Sequence, residues 1–323
     1  MTVAAGPGVT QGALVAELAE VVGAPHEARF IVDEVLGRGP GLGHPKPPAG
    51  AVDEAAVAAA RALAARRASG QPLQYVFGHW PFRTLDLAVD DRVLIPRPET
   101  EQVVEVALGE ARLLAERRAP SLDPAHRRAA WRDEGLVVVD VATGSGAIAL
   151  ALAAELGAAE LGAAEVRAVG ATDASTDALA VAGSNLEAVR ASHPGTLLPV
   201  TFYEGSWLEP LPGVWRGRVD LVVSNPPYVS EDEWPMLSTE VRREPRRALV
   251  AGPGSDGTPG LAGVEAVLAQ AREWLRRPGI VVVELAPHRA DAATALARRL
   301  GYAEVRVERD LAGRRRALVA RVE

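Results

Sequence analysis

The chain has 323 residues, 48% hydrophobic and 24% charged, with 35 Lys plus Arg against 42 Asp plus Glu and a net charge of -7. That length suits about two domains with a sizeable core. Cysteine is absent, which excludes disulfides, thiolate metal sites, iron–sulfur clusters and a Cys nucleophile. The acidic balance argues against broad nonspecific nucleic-acid binding, though it leaves room for a local basic patch. No uncharged apolar run reaches membrane-spanning length. The opening MTVAAGPGVTQGALVAELAE lacks the basic start of a signal peptide, so the cytoplasm is the expected location.

The first seventy or so residues read as helices. Thr10 caps a first helix with Leu14, Leu18 and Val21 or Val22 on one face, ending near Gly23-Ala24-Pro25. A second runs from His26 to Leu36, and a third from Asp53 to Ala68. Between them, Gly37–Gly50 is a Gly/Pro-rich loop. Residues 1–72 therefore predict a helical bundle, expected to serve substrate recognition. Leu85, Leu87 and Val89 alternate with Asp86, Ala88 and Asp90, so Tyr75–Leu94 is expected as a β-hairpin inside a linker spanning 73–98. Pro96 and Pro98 precede a helix from Glu99 to Arg118, and Ala119–Glu134 reads as a flexible insertion.

From Leu136 the pattern turns to α/β. Strands are expected at Leu136–Val141, Val166–Thr172, Leu197–Tyr203, Val219–Ser224 and Gly279–Leu285. Helices fall between them, at Ile148–Leu156, Ser175–Val189 and Leu261–Leu275. Ala303–Arg309 and Arg316–Val322 form a closing hairpin through Gly313, with Arg314-Arg315-Arg316 read as a solvated loop. The fold class is thus α/β: a mostly parallel sheet with an antiparallel last strand over residues 99–323, and a small helical domain before it. A ligand crevice belongs at the carboxyl ends of its strands.

Three signals fall at that crevice. The turn Asp140-Val141-Ala142-Thr143-Gly144-Ser145-Gly146 lets backbone approach a ligand at a helix N-terminus. It is neither a P-loop nor a full dinucleotide fingerprint, and a plain strand-to-helix turn explains it equally well. Asp173 ends the second strand, where an acid can accept from both ribose hydroxyls or cap the next helix, a job Ser175 can also do. Asn225-Pro226-Pro227-Tyr228 follows the fourth strand. Two prolines stiffen the corner, leaving the Asn225 side-chain oxygen and the Pro226 carbonyl as acceptors suited to an –NH2 group. Tyr228 adds an aromatic face for a planar substrate, or is simply buried.

With these residues the chain resembles the Rossmann-like class I methyltransferases that act on planar amino groups. Within that class it is similar to the release factor glutamine methyltransferases. The resemblance extends over Gly70-Gln71-Pro72-Leu73-Gln74-Tyr75, Gly78–Phe82 and Leu94-Ile95-Pro96-Arg97-Pro98-Glu99-Thr100-Glu101. It continues through Gly205-Ser206-Trp207, the Asn-Pro-Pro-Tyr corner, and Glu244-Pro245 with Ala248-Leu249. It implies transfer of a methyl group from S-adenosyl-L-methionine to the N5 amide nitrogen of a glutamine in a peptide chain release factor. Asp140, Ala142, Thr143, Gly144, Ser145 and Gly146 would cradle the cofactor's methionine part, Asp173 its ribose, and Trp207 its adenine. Asn225 would sit beside the methyl donor, and Asn225, Pro226, Pro227 and Tyr228 would bind and orient the glutamine amide.

The sequence departs from the pattern at Ala142, where similar proteins usually carry Gly, and after Glu284, where Gly and Gln are usual. Asn-Pro-Pro-Tyr alone is shared with N6-adenine methyltransferases of DNA or RNA, which form the alternative reading; they are expected to bring a basic recognition region. The six scattered histidines show no metal-ligand spacing, so no metal is expected. A monomer with a protein substrate, and with no direct nucleic-acid or membrane partner, completes the expectation.

Overall fold

A computed structural model describes residues 9–39, 52–118, 135–157, 166–193 and 198–323. They form two compact units, one of residues up to Asp91 together with Ser238–Arg243, the other of Arg92–Leu237 and Glu244–Glu323.

In the first unit, α1 (Gln11–Val22), α2 (Pro25–Val35) and α3 (Glu54–Ala68) bury Leu14, Leu18, Ile31, Val32, Val57 and Ala60 against one another. Capping follows the sequence: Thr10 accepts from the Ala13 N–H, Asp53 from the Ala56 N–H, and Gly23 ends α1 at a φ of 72°. Arg67 of α3 pairs with Glu27 at 2.7 Å and with Glu240, and Arg243 donates to the Ser69 carbonyl at 2.8 Å, so one ion pair and one hydrogen bond tie residues 238–243 to α3 and its C-terminal end.

The hairpin is shorter than the expected Tyr75–Leu94. Leu73–Phe77 is instead a helical turn, α4, stopped by Gly78 in the left-handed region at a φ of 84°. Only β1 (His79–Phe82) and β2 (Leu85–Ala88) pair, antiparallel. The alternation is real, with Leu85 and Leu87 buried and Asp86 and Ala88 exposed, but it covers fewer residues. His79 sits between Glu34 and Asp86. The hydrogen bond to Glu34, the larger cause, and the interactions with Asp86 hold its pKa up at about 9, against the opposing effect of burial.

The second unit holds α5 (Pro98–Arg118), β3 (Leu136–Val141), α6 (Ala147–Gly157), β4 (Val166–Asp173), α7 (Thr176–Ser192), β5 (Val200–Glu204) and β6 (Val219–Ser224). It continues with α8 (Arg246–Leu249), α9 (Ala262–Trp274), β7 (Leu275–Glu284), α10 (Ala290–Arg299), β8 (Glu304–Arg309) and β9 (Arg315–Val322). The seven-stranded sheet runs β5-β4-β3-β6-β7-β9-β8. All pairs are parallel except those made by β9. Every residue of β3 and β6 is buried, so both faces of the central strands are covered, and their sequences are mostly apolar, interrupted by the buried Asp140, Asp220 and Ser224. Each fully buried Val or Leu there contributes about 1.5–3 kcal/mol.

The chain leaves β3 toward β4 on one side and returns as β6 on the other. That reversal is where an open α/β sheet forms its crevice. The register sets Val141 beside both Thr172 and Ser224, and Ser224 beside Val283. The residues that follow β3, β4, β6 and β7 therefore emerge at one edge.

Of the arginine run only Arg314 is in the exposed loop. Arg315 and Arg316 lie in β9. Arg314 pairs with Glu99 and Asp310, Arg315 with Asp291, and Arg316, 8% exposed, faces Glu99 and Asp310. The expectations for residues 119–134, for most of the loop after Gly37 and for the start of the third strand at Leu197 lie outside the described residues.

Candidate active site

A cavity of about 370 Å³ opens at the carboxyl edge of the sheet, within the size range of small-molecule and cofactor sites. Ala142, Gly144, Asp173, Trp207, Asn225 and Pro227 line it. The turn after β3 is built from behind by Asp140. That residue does not line the cavity; its buried carboxylate accepts from Thr143 Oγ1 at 2.5 Å and from the Ala149 N–H at 3.1 Å. Burial, the largest influence, pushes its pKa up to about 7 against those two hydrogen bonds.

Thr143, Ser145 and Gly146 also stand outside the lining. Thr143 N–H bonds the Thr172 carbonyl, and the Ser145 carbonyl accepts from Asn185 Nδ2 at 2.9 Å. Gly146 has a φ of 84°, and a Cβ there would sit 3.2 Å from Leu150 and 3.3 Å from Ala182. These residues shape the turn that Ala142 and Gly144 present.

Ala142 has a φ of 59°, left-handed backbone that ordinarily selects glycine. This is the physical content of the departure at that position: the methyl strains the backbone as well as adding bulk to the cavity wall. Ala142→Gly is expected to raise stability by up to about 1 kcal/mol, relief of the left-handed cost outweighing the added chain entropy. A thermal melt should show Tm rising by about 2 °C. A fall would mean that the methyl packs favourably enough to offset its strain.

Asp173 is released from capping, because Ser175 Oγ caps α7 by accepting from the Ala178 N–H. Each Asp173 oxygen takes one backbone donor: Oδ2 from Gly144 and Oδ1 from Ser175, both at 2.9 Å. A carboxylate oxygen accepts more than one hydrogen bond, so both keep capacity for a pair of hydroxyls. Burial, the dominant effect, raises the Asp173 pKa, while the Gly144 and Ser175 amides and the Arg247 charge oppose it. Arg247 lines the same cavity and donates to Ser175 Oγ. Trp207 is held at a φ of 51° and lines the cavity from the β5 side.

Asn225 donates from Nδ2 to Thr100 Oγ1 at 3.2 Å. The Pro226 carbonyl accepts no hydrogen bond among the described residues. Pro226 and Tyr228 do not line the cavity; the Tyr228 hydroxyl meets Glu284 Oε1 at 3.3 Å, and burial raises its pKa. Glycines of the following segment support the corner. A Cβ on Gly263 would lie 2.7 Å from the Pro227 carbonyl, and one on Gly260 only 2.4 Å from that of Tyr228.

Sequence reasoning missed several of these supports. Gly260 and Gly263 carry no local signal. Thr100 is concealed between two glutamates at a helix start. Glu284 was legible in principle: an acid ending an apolar strand beside β6 must emerge next to Asn225. Glu244 belonged to a quoted motif without a role; it is buried, accepts from the Ile95 N–H at 3.0 Å and pairs with Arg97.

A Rossmann-like sheet with a glycine turn, a strand-end acid and an Asn-Pro-Pro-Tyr corner around one cavity defines a methyltransferase that uses a methyl donor of the S-adenosylmethionine type. The family model described as "Methyltransferase small domain" matches residues 130–252. The chain belongs to the release factor glutamine methyltransferase family. It is 38% identical to the release factor glutamine methyltransferase of Bordetella pertussis, covering 89% of this chain and 91% of that one. Identity to that of Moorella thermoacetica is 38%, over 79% and 76% of the two chains, and to that of Rhodopirellula baltica 36%, over 80% and 76%. Membership in this family decides against the adenine reading that Asn-Pro-Pro-Tyr alone left open.

Proposed function

We propose that this protein transfers a methyl group from S-adenosyl-L-methionine to the side-chain amide nitrogen of a glutamine in a peptide chain release factor. One observation carries the site assignment: Asn225 lines the same cavity as Asp173 and Gly144, with its Nδ2 already committed to Thr100.

The cavity fits the donor chemically. Asp173 offers two oxygens with spare acceptor capacity to a vicinal diol, Ala142 and Gly144 present backbone at the turn, and Trp207 offers an aromatic wall. When bound, the donor supplies an electrophilic methyl on a sulfonium. Asn225 Oδ1 and the Pro226 carbonyl, the latter outside the cavity lining but without a hydrogen bond among the described residues, accept the two N–H bonds of the substrate amide. Held so, the weakly nucleophilic nitrogen is turned with its lone pair toward the methyl. Orientation of this kind can remove roughly 7–11 kcal/mol of barrier. The proton leaves after transfer, so no side chain is needed as a strong base. Tyr228 steadies the corner through Glu284, and Pro227 stiffens it.

The proposal includes a monomeric enzyme acting in the cytoplasm without direct nucleic-acid contact. Among the described residues no helix is long and apolar enough to cross a membrane. The pairing of Arg314, Arg315 and Arg316 with acids supports the absence of a nucleic-acid contact there. Mass spectrometry of a release factor incubated with the protein and S-adenosylmethionine should find one added methyl on a glutamine-containing peptide. Methylation of an oligonucleotide and not of the release factor would overturn the reading.

A further inference from the structure

Glu284 ends β7, and the register that sets Ser224 beside Val283 brings it out next to Asn225. Its side chain is 1% exposed. Each carboxylate oxygen takes one hydroxyl: Oε2 from Thr100 at 2.6 Å, Oε1 from Tyr228 at 3.3 Å. A hydroxyl has a single proton to donate. Thr100 spends it on Glu284, so its oxygen meets Asn225 as an acceptor, and only the Nδ2 end of the Asn225 carboxamide answers an acceptor. The opposite end of that planar group is Oδ1.

We propose that Glu284 is a positioning residue: acting through Thr100, it sets which way round the Asn225 carboxamide stands, and acting through Tyr228, it anchors the far end of the Asn-Pro-Pro-Tyr corner. This rests on the glutamine-amide reading above and adds to it the device that makes Asn225 an acceptor toward substrate. The two ends of a carboxamide have nearly the same shape, so packing alone does not choose between them. Hydrogen-bond polarity does. Two hydroxyl donors require two acceptors, which a carboxylate has and a glutamine amide lacks. In Glu284→Gln one oxygen remains, so one hydroxyl meets –NH2: if it is Tyr228, the bond that anchors the corner must reverse, and if it is Thr100, its proton turns on Asn225, which then rotates to present Oδ1 to Thr100 and Nδ2 to the substrate –NH2. Donor then faces donor, and the amide loses its orientation.

The charged and titratable groups facing Glu284 are Arg316 from β9, Glu99 from the start of α5 and Tyr228 from the corner. Burial, the largest influence, and Glu99 push its pKa above the ordinary glutamate value, while Thr100, Arg316 and Tyr228 hold it down. The carboxylate that the arrangement needs is therefore lost on acidification sooner than from a solvent-exposed glutamate.

Full-length Glu284→Gln, Thr100→Val and Thr100→Ser, assayed with a release factor and S-adenosylmethionine, test this. Glu284→Gln and Thr100→Val should lower kcat by about 10²-fold, the scale of a misplaced reacting group, with the calorimetric Kd for the donor within about threefold of wild type. Thr100→Ser, which keeps the hydroxyl, should retain most of the activity. Wild-type kcat should decline at acid pH, and Glu284→Gln should lack that acid limb. Near-wild-type kcat in Glu284→Gln, equal damage in the two Thr100 variants, or a parallel loss of donor binding would overturn the assignment. Should Glu284→Gln not fold, the two Thr100 variants decide the matter. A wild-type protein that methylates no release factor defeats the parent reading instead.

Discussion

Asn225→Ala is expected to lower kcat about 10²–10³-fold while the Kd for the methyl donor stays within about tenfold, the range seen when one preorganised polar group is removed from a reacting centre. The expectation follows from the separation of tasks around the cavity. Asn225 stands at the end of β6, whereas the groups suited to hold the donor follow β3 and β4 and come from Trp207. Truncation removes the acceptor that turns the substrate amide and leaves Thr100 with an unmet acceptor, but takes nothing from Asp173 or the Gly144 turn. Single-turnover methylation of a release factor, paired with calorimetry on the donor, separates the two effects. Activity near the wild-type level would mean that another group grips the amide, and the corner would lose its proposed role.

Asp173→Ala is expected to act in the opposite way, on binding. Hydrogen bonds to a charged acceptor contribute about 1.5–3 kcal/mol each, so loss of a hydroxyl pair should raise the donor Kd by about 10²-fold or more. Because Asp173 also accepts from the Gly144 and Ser175 amides, Asp173→Asn should be measured beside it to separate lost charge from a loosened turn. The two pH signs run against each other. Burial holds the native pKa above the ordinary 3.8. As pH falls through that raised value the carboxylate is lost and donor binding weakens. In the window between 3.8 and the raised value the native state binds more protons than the unfolded chain, so this residue's contribution to stability declines as pH rises. Titrated donor affinity should therefore drop on acidification in wild type and stay nearly flat in Asp173→Asn; a flat wild-type profile would return Asp173 to the turn alone.

Much of this site is legible in the amino-acid sequence. The turn after β3, the acid that ends β4 and the corner after β6 each sit at the end of an apolar run with a change of local chemistry. In a parallel sheet such ends share one edge. The helix cap Thr10 is legible for a similar reason, since capping is decided within three residues, whereas the sequence left Asp173 and Ser175 as alternative caps and the structure chose Ser175. Where local signals compete, reading by pattern goes astray. The alternation around Leu85 suggests a hairpin from Tyr75 to Leu94, but Pro72 and Gly78 bound a helical turn that takes the first part of that stretch. Likewise, three consecutive arginines read as one solvated loop, but β9 takes in Arg315 and Arg316 and buries Arg316 beside Glu99 and Asp310.

What the amino-acid order determined by itself was therefore the class of the sheet and the ends of its central parallel strands, with Asp173 and Asn225 placed at two of them, since each depends on neighbours a few residues away. Only the tertiary structure decided which candidates line the cavity and which merely build it, as Asp140, Thr143, Ser145 and Gly146 do. It alone also joined Thr100, Asn225 and Glu284, residues separated by 125 and 59 positions along the chain, into one hydrogen-bonded line. The polarity of such a line depends on where each single proton points, and that is settled by distances between strands and helices that no local pattern contains.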